Sequence, residues 1–215
     1  MRPTLCFAFL FLLRFAQAQD APPTKFIVGV TLNYVSSHTK AIDGDPNFPI
    51  HYNSNLASIN PYFAYRLGSH WALGFQGSLE YLNFSYYIRS QSEDLYTSTS
   101  TYSVGLFDRY YVGTDNALQF FLESGAVYSR SESNSEDQFF IFSPYKSSKE
   151  FTAYLSPGIT WSVSKRINLI GRFGKLNYTK GNGTPRQALE SSTNYDYLNL
   201  QLNGKTLFLG AELKI

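Results

Sequence analysis

The sequence predicts an all-β protein, an antiparallel up-and-down β-barrel of about eight strands. Three observations carry that prediction. Apolar and polar residues alternate with a period of two, connections alternate between short and long, and aromatic residues stand at the ends of the alternating runs. A period of two puts every second side chain on one face of a strand.

The first run is Phe26, Val28, Val30, Leu32 and Tyr34. Pro61, Phe63, Tyr65 and Leu67 form the second, and Trp71, Leu73, Phe75, Gly77, Leu79 and Tyr81 the third. Tyr102, Val104, Leu106, Tyr110 and Val112 follow, then Leu118, Phe120, Leu122, Ala126 and Tyr128. Phe151 through Trp161 to Val163 and Ile167 through Leu169 to Phe173 are the sixth and seventh, and Leu207, Leu209, Ala211, Leu213 and Ile215 close the chain. Most are long enough to cross a bilayer as a tilted strand. The connections at 68–70, 113–117 and 164–166 are short. The segments around 36–55, 83–100, 129–149 and 179–205 are rich in Ser, Thr, Asn and Asp and read as long loops. Short turns at one end and long loops at the other are what a transmembrane barrel needs, with short periplasmic turns and long extracellular loops.

Composition agrees. Aromatic residues make up 17% of the 215-residue chain, while mean hydropathy is slightly negative. A strand with one apolar and one polar face gives that mixture. No run of 18 apolar residues encodes a transmembrane helix. Arg2, the apolar run Leu5 to Leu13 and Ala16-Gln17-Ala18 read as a signal peptide over residues 1–18, cleaved after Ala18. The barrel domain is then 19–215. Cys6 is the chain's sole cysteine and falls within the signal, so no thiol chemistry or disulfide is expected in the mature chain. Without Arg2 and Arg14, sixteen basic residues face sixteen acidic ones. That balance disfavours nucleic acid as a partner.

The aromatic positions orient the sheet. Tyr65, Trp71, Tyr110 and Trp161 lie beside the short turns; Tyr34, Tyr81, Tyr102 and Tyr128 lie beside the long segments. Two such bands around an aliphatic middle suit the two membrane interfaces. The other face carries Arg66, Glu80, Arg109, Glu123, Arg172, Glu212 and Lys214. Mixed charges on one strand face suit a closed lumen in which they pair, and eight strands leave a lumen that side chains can fill. Asp108 falls on the apolar face; it either reaches the interface or is re-aimed by a bulge. Pro61 and Pro157 each remove a ladder donor. Leu198, Leu200 and Leu202 are out of phase with Leu207 to Ile215, and Asn203-Gly204 is a candidate turn or bulge.

The Asn60-Pro61 and Ser156-Pro157 strand signatures, the segment Phe107-Asp108-Arg109-Tyr110-Tyr111 and the alternating C-terminal strand carry a family resemblance. Over roughly residues 25–215 the chain resembles the small outer-membrane barrels of the OmpX/Ail, OmpA transmembrane-domain and opacity-protein type, especially the outer membrane β-barrel domain proteins of the Bacteroidetes. It departs from them at the last residue, Ile215, where the family usually has an aromatic. The resemblance implies Gram-negative outer-membrane localisation and insertion by the barrel-assembly machinery. It also implies an envelope or surface-binding role, with outer-membrane lipid, lipopolysaccharide and a host or cell-surface ligand as partners.

Candidate chemistry is sparse. His51 and Ser54 stand three residues apart, whereas a His/Ser pair on one strand face needs two. Asp43-Gly44-Asp45-Pro46-Asn47 begins like a calcium loop, but Phe48 and Ser54 stand where it needs Gly and Glu. His70 lies in a tight turn and reads as solvated. No catalytic, metal or cofactor site is predicted. The expected function is that of a non-enzymatic surface-binding or structural barrel. The alternatives are an enzyme acting on lipid A or peptide from a rim site, and a narrow channel.

Overall fold

The computed structural model describes residues 26–40, 49–88, 93–112, 117–135, 145–185, 192–201 and 207–215. Among these lie ten strands: β1 (Phe26–Lys40), β2 (Pro49–Leu67), β3 (Trp71–Ile88), β4 (Glu93–Val112), β5 (Leu118–Ser135), β6 (Tyr145–Ser162), β7 (Ile167–Arg172), β8 (Lys175–Pro185), β9 (Thr193–Gln201) and β10 (Phe208–Lys214). They make eight barrel staves. The lower half of β6 pairs with β7 and its upper half with β8, so β7 and β8 together form the seventh stave. β7 pairs with β10 and β8 with β9, which makes β9 and β10 the eighth. The ladder from Ile27↔Lys214 to Leu32↔Leu209 joins the last stave to the first. Every pairing is antiparallel and joins consecutive staves, this closure joining the last to the first. The fold is a closed up-and-down barrel, and closure removes the open edges of a sheet.

Several segments read as loops from the sequence are strand. β4 begins at Glu93, β5 runs on to Ser135, and β8 and β9 occupy 175–185 and 193–201. Thr and Tyr favour strands, and alternation of one polar residue with another leaves no hydropathy signal. The long connections are therefore hairpins that continue the barrel wall.

The alternation passes through Asp108 unbroken. Leu106 is exposed, Phe107 buried, Asp108 half-buried and Arg109 buried, with no register shift in either ladder. Asp108 faces outward and accepts a hydrogen bond from Ser124 Oγ, its cross-strand neighbour. No bulge re-aims it.

A bulge lies elsewhere. Between Gly158↔Arg172 and Leu155↔Leu176, β6 has two residues while the seventh stave has three, Phe173, Gly174 and Lys175. Gly174 takes φ 75°, which a residue without Cβ adopts at little cost. The extra residue reverses the phase: Ile167 and Leu169 face outward before it, Leu176 and Tyr178 after it. Pro157 sits opposite this break, its carbonyl accepting from Phe173 N at 3.1 Å. Its missing donor therefore falls where the ladder is already interrupted. At Pro61 the β2–β3 ladder lacks two pairs, between Ile59↔Leu79 and Tyr62↔Gln76, with no shift of register. The phase also changes between Leu200 and Leu207, both exposed. Leu202 and the expected register reset at Asn203-Gly204 lie outside the described residues, as does the expected signal peptide.

Candidate functional site

The barrel wall is apolar outside, and inside it buries charged and polar side chains beside a cluster of apolar ones that includes Ile27, Phe107, Phe121 and Ile170. The largest fully buried side chains are Arg109, Glu123, Glu212, Thr31, Thr160 and Thr179. Val104 is 65% exposed and Leu106 and Leu209 are each 59% exposed.

Inward glycines make room for rings. Gly29 lies directly opposite Tyr62, Gly74 opposite Phe107, Gly125 opposite Tyr154 and Gly158 opposite Phe121. A Cβ on Gly29 would meet the Tyr62 ring at 2.2 Å, and one on Gly158 would meet Phe121 at 2.2 Å. Each ring lies across its glycine and reaches toward the barrel axis, so the lumen is filled from the wall inward.

Arg109 occupies the centre. Its Nε and Nη2 donate to Glu123 Oε2 at 3.1 and 2.8 Å, and its Nη1 donates to Glu212 Oε1. Nη1 also donates to the Tyr111 hydroxyl at 3.2 Å. The guanidinium lies 4.4 Å from the Phe121 ring centroid and 5.3 Å from that of Tyr62. Glu123 Oε1 accepts from Arg172 Nη1 at 2.7 Å and from the Tyr154 hydroxyl at 3.0 Å. Glu212 accepts from the Tyr62 hydroxyl at 2.7 Å and from Asn168 Nδ2 at 3.2 Å. Arg172 Nη2 reaches Thr31 Oγ1 at 2.7 Å. Two cations and two anions cancel, and the bonds tie β1, β2, β4, β5, β6, β7 and β10 across the lumen. Charges removed from water need this degree of pairing; planar guanidinium forks supply it.

Of the seven charges that the sequence places on the inward face, four, Arg109, Glu123, Arg172 and Glu212, meet here. Arg66 lies nearer the turn, where Nη2 donates to Ser69 O at 3.0 Å and the guanidinium stacks 4.7 Å from the Tyr111 ring. Glu80 lies further up the lumen, lining the cavity above the cluster. Lys214 reaches Ser162 Oγ at 3.5 Å. The partners Tyr62, Tyr154, Asn168 and Thr31 were not foreseen. Their only sequence signal was their parity, which places them on the inward face.

Of the aromatics assigned to the interfaces, Tyr34, Tyr65, Tyr81, Tyr102, Tyr110, Tyr128 and Trp161 are exposed on the outer wall. Trp71 is half-buried against Tyr110, with ring centroids 4.5 Å apart. The outward run from Leu118 to Tyr128 spans eleven residues, the length of a membrane-crossing strand.

Above the cluster the lumen widens into a cavity of about 450 Å³. Its wall carries cross-strand hydroxyl pairs: Thr101–Ser131 at 2.8 Å, Ser103–Ser129 at 3.0 Å and Thr152–Thr179 at 2.9 Å. His70 is half-buried in the turn below, its Nδ1 3.2 Å from Tyr111 O, rather than solvated as its position suggested. His38 Nδ1 is hydrogen-bonded to Asn53 Oδ1. The His51 side chain and residues 43–47 lie outside the described set. Among the described residues, no group of three His, Cys, Asp or Glu could hold a metal ion.

No family model matches the sequence, and no curated protein matches it. Similar solved structures include bacterial outer-membrane and surface proteins. The outer membrane protein OprG from Pseudomonas aeruginosa is 14% identical over 92% of this chain and 98% of its own, with a TM-score of 0.48. Neisserial surface protein A is 12% identical over 88% and 97%, with a TM-score of 0.43. Ail, the attachment invasion locus protein of Yersinia pestis, is 11% identical over 89% and 99%, with a TM-score of 0.38. At these identities the likeness concerns architecture, and the eight-stave assignment rests on the ladders of this chain.

Proposed function

We propose that the chain is a non-enzymatic outer-membrane barrel whose lumen is sealed at the turn end and whose hairpins present a surface at the other. The observation that carries this is the inversion of polarity. An apolar belt such as Val104, Leu106, Phe120 and Leu209 left in water costs roughly 25 cal/mol per Å². Facing lipid it costs nothing, while the charges find partners inside. The aromatic rows at Tyr65, Tyr110 and Trp161 and at Tyr34, Tyr81, Tyr102 and Tyr128 then mark the two interfaces.

The Arg109–Glu123–Glu212–Arg172 cluster serves as a plug rather than a filter. Its charges are paired with one another within the protein, so an ion crossing it would have to break those pairs. Beyond Tyr102 the nine residues of β4 from Glu93 to Thr101 continue for about 30 Å along the strand. Paired with β3 and β5, they carry the polar hairpins clear of the belt. That surface is suited to lipopolysaccharide or to a ligand on another cell. Export by residues 1–18, cleavage after Ala18 and insertion by the barrel-assembly machinery belong to the same reading.

Fractionation and heat-modifiability test it together. The unboiled protein is expected in the outer-membrane fraction, with faster gel migration than the boiled form and Gln19 as its first residue. A periplasmic soluble protein with one mobility would refute the reading. Deletions of residues 89–92 and 136–144 are expected to leave mobility intact while abolishing cell or lipopolysaccharide binding.

A further inference from the structure

The cavity above the plug contains an exception to the pairing below it. Six of its hydroxyls are paired with one another across the strands. Two ionic groups are not. Glu80 on β3 lines the cavity, and its carboxylate has no hydrogen bond or ion pair among the described residues. Lys175 on β8 lines it too; its ammonium lies 4.8 Å from the Tyr154 ring centroid with no carboxylate within salt-bridge distance among the described residues. The two staves are four apart around an eight-stave barrel, so the charges stand on opposite walls, each in the other's field.

Lys175 points inward because of the Gly174 bulge. Without the extra residue it would continue the outward parity of Ile167, Leu169, Gly171 and Phe173. Two further charges line the cavity: Arg172, three residues from Lys175, at its floor, and Glu150 on β6, the stave beside that of Lys175, whose Oε1 accepts from the Tyr195 hydroxyl at 2.6 Å. The cavity therefore has its basic groups toward the plug and faces them with Glu80 on the opposite stave.

The geometry points to this cavity as a binding site for a small zwitterion, a molecule of amino-acid size carrying an ammonium and an acidic group. Its acid would pair with Lys175 above Arg172, and its ammonium with Glu80 on the opposite wall. A void of about 450 Å³ accommodates such a ligand with its bridging water. A ligand with one charge would satisfy one wall and leave the other unmatched. The inference rests on the sealed lumen proposed above and adds an occupant to it. The same chemistry is offered by a free amino acid and by a phosphoethanolamine headgroup.

Titration calorimetry on the full-length mature barrel in detergent micelles tests this. The probes are L-alanine, O-phosphoethanolamine, propionate, propylamine and glycerol. L-Alanine or O-phosphoethanolamine is expected to bind, with propionate and propylamine at least about tenfold weaker, the size of one lost charge-assisted contact. Stronger binding of L-alanine indicates a free solute, and stronger binding of O-phosphoethanolamine a headgroup. Glu80→Gln and Lys175→Gln should each weaken the zwitterion about tenfold, and the swap Glu80→Lys with Lys175→Glu should restore it. Absence of heat up to about 50 mM, a level beyond any specific small-ligand site, would overturn the inference. So would glycerol binding equally well, or variants that bind as wild type. Gel mobility is read on every sample: an intact shift with no binding removes the ligand and leaves the barrel, whereas a missing shift removes the barrel.

Discussion

The two ends of the lumen are built from the same alternation and solve opposite problems. At the turn end, four charges, three tyrosines and inward glycines close the space, and Arg109 and Glu123 are each 1% exposed. At the hairpin end, Ser and Thr line the wall in pairs and leave a void. Large side chains of opposite charge can cross a barrel and meet; short hydroxyls can reach only the neighbouring strand. Side-chain length therefore decides whether a stave face becomes plug or cup. The difference also separates energetic roles, because a buried charge network is costly to break whereas a hydroxyl pair is not.

Substitutions can break or sharpen that contrast. Arg109→Met strands Glu123 and Glu212 without their central cation and is expected to cost about 3–5 kcal/mol. Urea unfolding from lipid vesicles would register it as a large fall in midpoint. The double variant Arg109→Met, Glu212→Gln, which keeps the Arg172–Glu123 pair, should recover much of the loss; equal destabilisation would mean that packing, not charge, holds the plug. On the outer wall, Leu106→Arg should cost about 2–4 kcal/mol in the same assay if that position faces mid-membrane. Gly158→Ala, where a Cβ meets Phe121 at 2.2 Å and Gly171 O at 2.6 Å, should cost about 1–3 kcal/mol. Gly77→Ala, with nothing nearer than 3.8 Å, should be close to neutral. The smallest effect is expected in the cup. Thr101→Ala leaves Ser131 a solvent-reachable hydroxyl and should cost no more than about 1 kcal/mol. A loss there as large as that of Arg109→Met would erase the distinction between the ends.

The contrast follows what the sequence made legible. Alternation of apolar with polar residues announced the outer wall wherever Leu, Val or Phe met a polar neighbour, as from Leu118 to Tyr128. It fell silent at Thr97 to Thr101 and Ser129 to Ser135, where both faces are polar, so the hairpin extensions read as loops. Parity assigned Arg109, Glu123, Arg172 and Glu212 to one face, but which of them meet depends on the stagger around a closed barrel. That stagger separates Arg66 and Glu80 from the cluster and brings in Tyr62 from β2 and Asn168 from β7. Lys175 was missed because one glycine reverses the phase immediately before it. The prolines carried information of another kind: both mark interruptions of the ladder.

The central claim is that one strand face meets lipid while its neighbour is sealed inside. Cys6, the sequence's one cysteine, lies in the segment proposed to be cleaved, so single cysteines can be placed at each position from 118 to 128 of the mature chain and spin-labelled in lipid vesicles. Accessibility to oxygen, which partitions into lipid, should alternate with a period of two. It should be high at 118, 120, 122 and 126 and low at 119, 121, 123 and 125, with the water-soluble relaxant excluded from 121 and 123. A flat profile, or free entry of the water-soluble relaxant at 121 and 123, would contradict the account.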